Sequence, residues 1–244
     1  MGTVIAVTSG KGGTGKTSIT SGVAAALAKM GLRVLCIDMD IGLRNLDISL
    51  GLNDRALMDF SDVALGHCPL ARAAVAHPEL DGLYLLTAPM SLSPYLSEIR
   101  LRAMLDRARA AYDYILIDSP AGLGAGFRLA VCGADRAIVV ATNDASSLRD
   151  AQRTVTELSA IRDIHLVMNR IQPKLLRKLR TTIDDAMDAA GLPLIGVVPE
   201  DPQVMLCANL GQPLLVRNRR GAAQACWNVA HRLEGWHVPI MRIR

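Results

Sequence analysis

Thr3–Thr17 reads TVIAVTSGKGGTGKT, and this stretch decides the fold. Its first six residues are an apolar, β-branched run of the kind that forms a buried strand. The glycine-rich turn that follows opens a helical pattern over Thr17–Met30, with Val23, Leu27 and Met30 on one face. Gly10–Thr17 fits G-x-x-x-x-G-K-[ST] in the strand–loop–helix setting that this phosphate-binding motif requires. Glycines let backbone N–H groups turn towards phosphate oxygens, and a helix N-terminus adds positive potential. The candidate cradle is Gly10, Lys11, Gly12, Gly13, Thr14, Gly15, Lys16, Thr17 and Ser18. Within it, Lys16 is expected to reach the β- and γ-phosphates and the Thr17 hydroxyl to ligate Mg²⁺.

The same alternation recurs along the chain. Strand-like runs occur at Arg33–Asp38, Leu83–Ala88, Tyr114–Asp118, Ala137–Thr142, Ile164–Asn169 and Leu194–Val198, with helical candidates near 94–111, 146–161, 174–190 and 220–234. Strands that are apolar throughout, rather than alternating, are covered on both faces. This predicts an α/β fold, a single-domain P-loop NTPase with a mostly parallel twisted sheet flanked by helices on both faces. No linker, low-complexity tract or repeat interrupts the pattern, so one domain is expected over 1–235, followed by a short tail over 236–244. In open α/β sheets ligands bind at the carboxyl ends of the strands. The sequence places its polar groups there: DMDIG after the second strand, SPAG after Tyr114–Asp118, Asn169–Arg170, and Pro199–Glu200–Asp201.

Composition narrows the function classes. Half of the 244 residues are hydrophobic and 20% are charged, with a mean hydropathy of +0.25; this excludes disorder. No run approaches about 18 uninterrupted apolar residues, so no transmembrane helix is expected. The start, MGTVIAVTSGKGG, lacks a basic stretch followed by an apolar one, and a cytoplasmic location is expected. A net charge of +4 permits an acidic partner such as anionic lipid or nucleic acid. Only 3% of residues are aromatic, too few for base-stacking platforms. The cysteines at 36, 68, 132, 207 and 226 are odd in number and widely spaced, which predicts buried thiols rather than a disulfide framework or a zinc site.

A second lysine, Lys11, follows the first glycine of the loop, giving K-G-G-T-G-K-T. In this the chain resembles the ParA/MinD superfamily of ATPases. The resemblance runs from residue 3 to about residue 216 and implies ATP and Mg²⁺ as cofactors, with hydrolysis of ATP to ADP and phosphate. It also implies a homodimer formed face to face on ATP binding, in which Lys11 reaches the partner's phosphates, a cation supplied in trans as an arginine finger is. Asp38 and Asp40 stand two apart in an extended segment and point the same way, one suited to orienting water and the other to the Mg²⁺ shell. The stretch DMDIGLRNLD (Asp38–Asp47) is similar to the first switch of the MinD branch. That likeness implies that Asp40 positions the attacking water, that Asp38 supports the metal, and that Arg44 and Asn45 lie near the dimer interface and ligand. DSPAG (Asp118–Gly122) resembles the branch's Walker B strand and second switch. Asp118 then contacts Mg²⁺ through water, and the Gly122 N–H senses the γ-phosphate. Asn169–Arg170 matches a pair whose Asn reads the adenine edge, and Pro199–Glu200–Asp201 a loop that closes over the base.

Some positions depart from that pattern. Gly124 stands where the branch carries an acid, and Gly124 and Gly126 are expected to loosen the second switch. Asp144 and Ala145 replace Pro and Glu in T-N-P-E-x-S-S-x-R-D. Ser146 is expected to cap the following helix, and Asp150 aligns with a dimer contact. The tail, GWHVPIMRIR (Gly235–Arg244), has the composition of an interfacial segment. It is short, contains Pro239, and lacks the lysines and phenylalanines of the branch, so weak membrane targeting and docking on the body are both open. In PKLLRKLR (Pro173–Arg180), Leu175, Leu176 and Leu179 are expected to face the core and Lys174, Arg177, Lys178 and Arg180 the solvent. Contact of those cations with DNA phosphates is the less favoured reading.

The resemblance implies an ATPase that cycles on and off the cytoplasmic face of the membrane to place the division septum. It implies an activator of the MinE kind and a septum inhibitor of the MinC kind. The alternatives are a ParA-like DNA-segregation ATPase, a flagellar-number regulator and a metallocentre-assembly ATPase. The second of these carries an N-terminal extension that this sequence does not show, and the last presents paired cysteines, whereas Cys132 sits within an apolar segment.

Overall fold

The computed structural model describes residues 1–243. Its strands are β1 (Thr3–Thr8), β2 (Val34–Asp38), β3 (Val75–Ala76), β4 (Leu83–Leu86), β5 (Tyr114–Asp118), β6 (Arg136–Ala141), β7 (Asp163–Ile171) and β8 (Leu194–Pro199). The helices are α1 (Lys16–Lys29), α2 (Asn45–Leu50), α3 (Phe60–Leu65), α4 (Leu70–Ala73), α5 (Glu98–Arg109), α6 (Ala125–Val131), α7 (Ala145–Glu157), α8 (Pro173–Leu179), α9 (Ile183–Ala190), α10 (Pro202–Asn209), α11 (Leu214–Arg217) and α12 (Ala222–Leu233). The strands form one sheet in the order β3-β4-β2-β5-β1-β6-β7-β8. Every neighbouring pair is parallel except β3 and β4. The central strand β1 lies between β5 and β6, so the chain winds outward from it in both directions. Its carboxyl end is the crevice where such sheets bind ligands.

Successive side chains of a strand point to opposite faces, and the cores follow from that. Ile5, Val7, Cys36, Leu116 and Val140 pack under α1 and α12. On the other face, Val4, Leu35, Ile37 and Ile117 pack under α3 and α5, and Val139, Leu166 and Met168 under α7 and α9. A methyl group on Gly22 of α1 would collide with Cys226 Sγ of α12, so the contact between these helices depends on the missing side chain. All five cysteines are free thiols, four of them buried.

The helix expected over 174–190 is two helices. Arg180 takes a left-handed conformation (φ 53°) that ends α8. Thr182 and Asp185 then form a capping box that starts α9. α8 buries none of its residues. Leu176 packs inward, but Leu175 and Leu179 are 43% and 52% exposed, contrary to the expectation that they face the core. The described part of the tail, 236–243, forms no helix. The Arg232 guanidinium donates to the carbonyls of Ile195, Val238 and Pro239 at 2.7, 2.9 and 2.7 Å and straps the tail to β8. Met241 and Ile243 pack against the cores, and Arg244 lies outside the described residues.

Candidate functional site

The loop between β1 and α1 wraps the carboxyl end of the central strand. Gly13 and Gly15 have φ of 78° and 90°, a conformation costly for any side chain. A Cβ on Gly15 would also strike Asn169 Nδ2. Ser9 accepts a hydrogen bond from Lys16 Nζ at 3.2 Å and donates to the Lys11 carbonyl at 2.6 Å, closing the loop on itself. Sequence reading passed over Ser9; the signal was a small hydroxyl residue at the exit of β1. Lys16 is 8% exposed. Burial lowers its pKa, against the opposing pull of Asp118 and Asp40.

Beneath the loop stand two buried acids in register on adjacent strands, Asp38 on β2 and Asp118 on β5. Asp118 accepts a hydrogen bond from Thr17 Oγ1 at 2.6 Å, and Thr20 Oγ1 lies 3.3 Å from its other oxygen. Burial, with Asp38 adding to it, pushes the Asp118 carboxyl up to about 7 despite those hydroxyls and Lys16. Asp38, expected in the metal set, is placed differently. Its two oxygens accept the backbone N–H groups of Asp40 at 2.9 Å and Leu46 at 3.1 Å. It shapes the 40–46 loop, and burial raises its carboxyl to about 6. Asp40 lines the same cleft as Lys16, Thr17 and Asn45. Its pKa is raised by burial, against the pull of Lys16. Arg44 is turned to Thr87, with Nε donating to Oγ1 at 3.1 Å.

The cleft holds about 640 Å³. One end is made by Gly12, Gly13 and Gly15–Ser18 with Asp40 and Ala121; the other by Val198, Pro199, Val204, Met205 and Cys226, with Glu200 and Asp201 beside them. A polar, glycine-lined end and an end of apolar side chains with two acids beside them suit a nucleotide's phosphates and base. Asn169 and Arg170 stand between them. Asn169 Nδ2 donates to the Thr14 carbonyl at 2.7 Å, so one amide hydrogen holds the loop. Arg170 (φ 57°) pairs with Glu200 at 2.8 Å and reaches the Gly13 carbonyl at 3.5 Å. Asp201, expected to close over the base, is a structural link: its carboxylate accepts from Gln203 N (3.0 Å) and Ala222 N (2.9 Å), joining the starts of α10 and α12.

On the outer rim, Lys11 Nζ donates to Ser146 Oγ at 2.8 Å and lies 3.3 Å from Asp144 Oδ1. The helix cap expected at Ser146 belongs to Asp144, which accepts from Ser147 N at 2.9 Å. Slight burial pushes against ionisation of Asp144, but hydrogen bonds from Ser146, Thr142, Ser147 N–H and Lys11 hold its carboxyl well below the usual range. Asp150 packs its backbone against Gly10. Gly122 follows Ala121, whose Cβ would lie 3.7 Å from one built on Gly12, so the second switch borders the loop.

The residues present fit Mg²⁺ and ATP. The Thr14 hydroxyl is buried in the loop with no partner among the described residues, where a phosphate oxygen would complete it. Among the described residues no cluster of three or more acid, His or Cys groups forms a cation cage. Mg²⁺ needs none, since it keeps waters and is bound largely through substrate phosphates.

Comparison with known proteins agrees. The profile of the CobQ/CobB/MinD/ParA nucleotide binding domain matches residues 5–214. The septum site-determining protein MinD of Synechocystis is 39% identical over 99% of this chain and 92% of its own. MinD of Bacillus subtilis is 38% identical over 98% and 92%. Among solved structures, the MinC:MinD cell division protein complex of Aquifex aeolicus matches with a TM-score of 0.91 at 37% identity, covering 98% of this chain and 99% of that one. MinD of Pyrococcus horikoshii, solved with Mg-ADP, matches at 0.83 and 29%, covering 96% of each. The glycine cradle, the paired lysines and the full-length likeness meet in one conclusion: the chain belongs to the CobQ/CobB/MinD/ParA nucleotide-binding family, as an ATPase of its MinD branch.

Proposed function

We propose that this chain binds Mg-ATP at the Gly10–Ser18 cradle, dimerises face to face, and uses the nucleotide state to control its residence on an anionic membrane where the division septum is placed. Residues 1–235 are the ATPase body and 236–244 the tail. A MinC-like inhibitor and a MinE-like activator are the proposed protein partners, and attraction to the membrane surface makes the location peripheral. Bound Mg-ATP supplies the phosphoanhydride whose cleavage by water yields ADP and phosphate. The chain's own groups divide the remaining work. Backbone N–H groups of Gly12–Thr17 and the Lys16 ammonium hold the phosphates. The Thr17 hydroxyl would hold Mg²⁺ directly, and Asp118, which accepts from that hydroxyl, would hold it through water. Asp40 orients the attacking water. Gly122 reports the γ-phosphate to the second switch, and Asn169, Arg170, Pro199 and Glu200 border the base, with Asp201 fixing that loop.

The observation that carries this reading is Lys11. It stands on the rim of the cradle with its ammonium resting on Ser146 and Asp144, while Lys16 is buried inside and donates to Ser9. A second lysine held at the rim is suited to another protomer's phosphates. Lys16→Ala is expected to abolish nucleotide binding. Lys11→Ala is expected to bind ATP normally yet remain monomeric by analytical ultracentrifugation with ATP and Mg²⁺. A Lys11→Ala protein that dimerises as the wild type does contradicts the trans role.

A further inference from the structure

We propose that α8 is a docking face for an anionic lipid bilayer, with the strapped tail beside it. The inference rests on the membrane reading above and identifies the surface that would make the contact. α8 differs from every long helix of the fold in burying no residue. Lys174 and Lys178 are four apart, as are Leu175 and Leu179, so the two pairs form adjacent stripes on one side of the helix. Leu175 and Leu179 are 43% and 52% exposed, and Leu176 alone packs inward. Between Asp163 and Asp184 the sequence has no acid, but carries Arg170, Lys174, Arg177, Lys178 and Arg180. Of the four cations of this helix and its cap, none forms an ion pair among the described residues.

The tail adjoins this surface. Pro173 and Leu176 share an apolar groove with Ile240, Met241 and Ile243. Ile240 remains 41% exposed at its edge, and Arg242 lies between the two packed residues. Lysines interleaved with exposed leucines match the interfacial zone of a bilayer, where anionic headgroups meet acyl chains. Duplex DNA would use the cations alone and leave the leucines without a role. Of the acids at the start of α9, Asp184 lines the groove beside the tail and Asp185 is engaged in capping. The surface also touches the nucleotide site, because Leu175 lines the same hollow as Lys11, Gly13, Asp144 and Arg170.

The test is flotation of the full chain with vesicles of 30% phosphatidylglycerol in phosphatidylcholine, with ATP or ADP. Pure phosphatidylcholine vesicles and retention on a 60-base-pair duplex serve as parallel arms. The variants are Lys174→Gln/Lys178→Gln, Leu179→Ser and, as a distant control, Arg72→Gln. Their exposure predicts unchanged thermal unfolding and unchanged ATPase without vesicles. Neutralising two lysines at an anionic surface is expected to lower vesicle partitioning on the order of tenfold or more. Leu179→Ser should lower it several-fold, and Arg72→Gln should leave it unchanged. Wild type and variants floating equally well would overturn the role of α8 while leaving the membrane reading intact. Wild type failing on every vesicle would overturn both. Loss of duplex retention in the lysine variant, with flotation unaffected, would reassign the face to nucleic acid.

Discussion

Replacing Asp118 by Asn tests whether the site is built at the expense of stability. In the folded, nucleotide-free chain burial lifts the Asp118 carboxyl from an ordinary 3.8 to about 7. That corresponds to roughly 4 kcal/mol against the charged form at high pH. A carboxyl whose pKa is raised by folding contributes stability fully at acid pH, below its ordinary value. The contribution is lost as pH rises through its folded value. Asp38, raised to about 6, acts in the same direction. Wild-type protein in EDTA, without nucleotide, should therefore lose stability between pH 5 and pH 8. Asn is neutral throughout and keeps one oxygen for Thr17 Oγ1, now 2.6 Å from the carboxylate. Its amide nitrogen faces Thr20 Oγ1 less favourably than an oxygen does, at a cost of about 1–2 kcal/mol. The net expectation is a gain of about 2 kcal/mol at pH 8, or roughly 4–8 °C in Tm. The gain should shrink towards pH 5, while ATP hydrolysis falls at least about tenfold. Differential scanning calorimetry at pH 5, 6.5 and 8 reads the first part, and phosphate release the second. An Asn variant less stable than wild type at pH 8, or a wild-type Tm that is flat over this range, refutes the reasoning.

Asp144→Ser keeps a cap for α7 while removing the carboxylate beside Lys11. The pair is about half exposed on both sides and contributes at most about 1 kcal/mol, so the ATP dimer should tighten by up to about fivefold, read by sedimentation equilibrium. Asp201→Ala removes the acceptor for two helix starts. It should destabilise by about 2 kcal/mol, lowering Tm by roughly 4–8 °C, and Asp201→Asn should recover part of the loss.

What the sequence disclosed is what repeats or is fixed by chemistry. β1 and β5 have the bounds read from their apolar runs, and the parallel sheet follows from strands covered on both faces. The cradle was legible because few residues besides glycine adopt the conformation of Gly13 and Gly15. Contacts distant in the chain were not legible. Asp201 bonding to Ala222, Asn169 to Thr14 and Asp38 to Leu46 depend on elements brought together by folding, and a carboxylate or amide in the sequence carries no mark of its partner. α2, α3, α4, α6, α10 and α11 span eight residues or fewer, too few turns for a clear period. The break between α8 and α9 was hidden because Leu175, Leu176 and Leu179 have helical spacing whether they face core or solvent.

α12 is about 18 Å long and is held at both ends. Its start hangs from Asp201 at the base end of the cleft, and Arg232, near its finish, grips the tail. A shift of the 199–201 loop must either break the bond to Ala222 or carry the helix along. In the second case the grip on Val238 and Pro239 moves too. The helix is then a lever arm, and the loop at the base and the last residues of the chain are two loads on one beam.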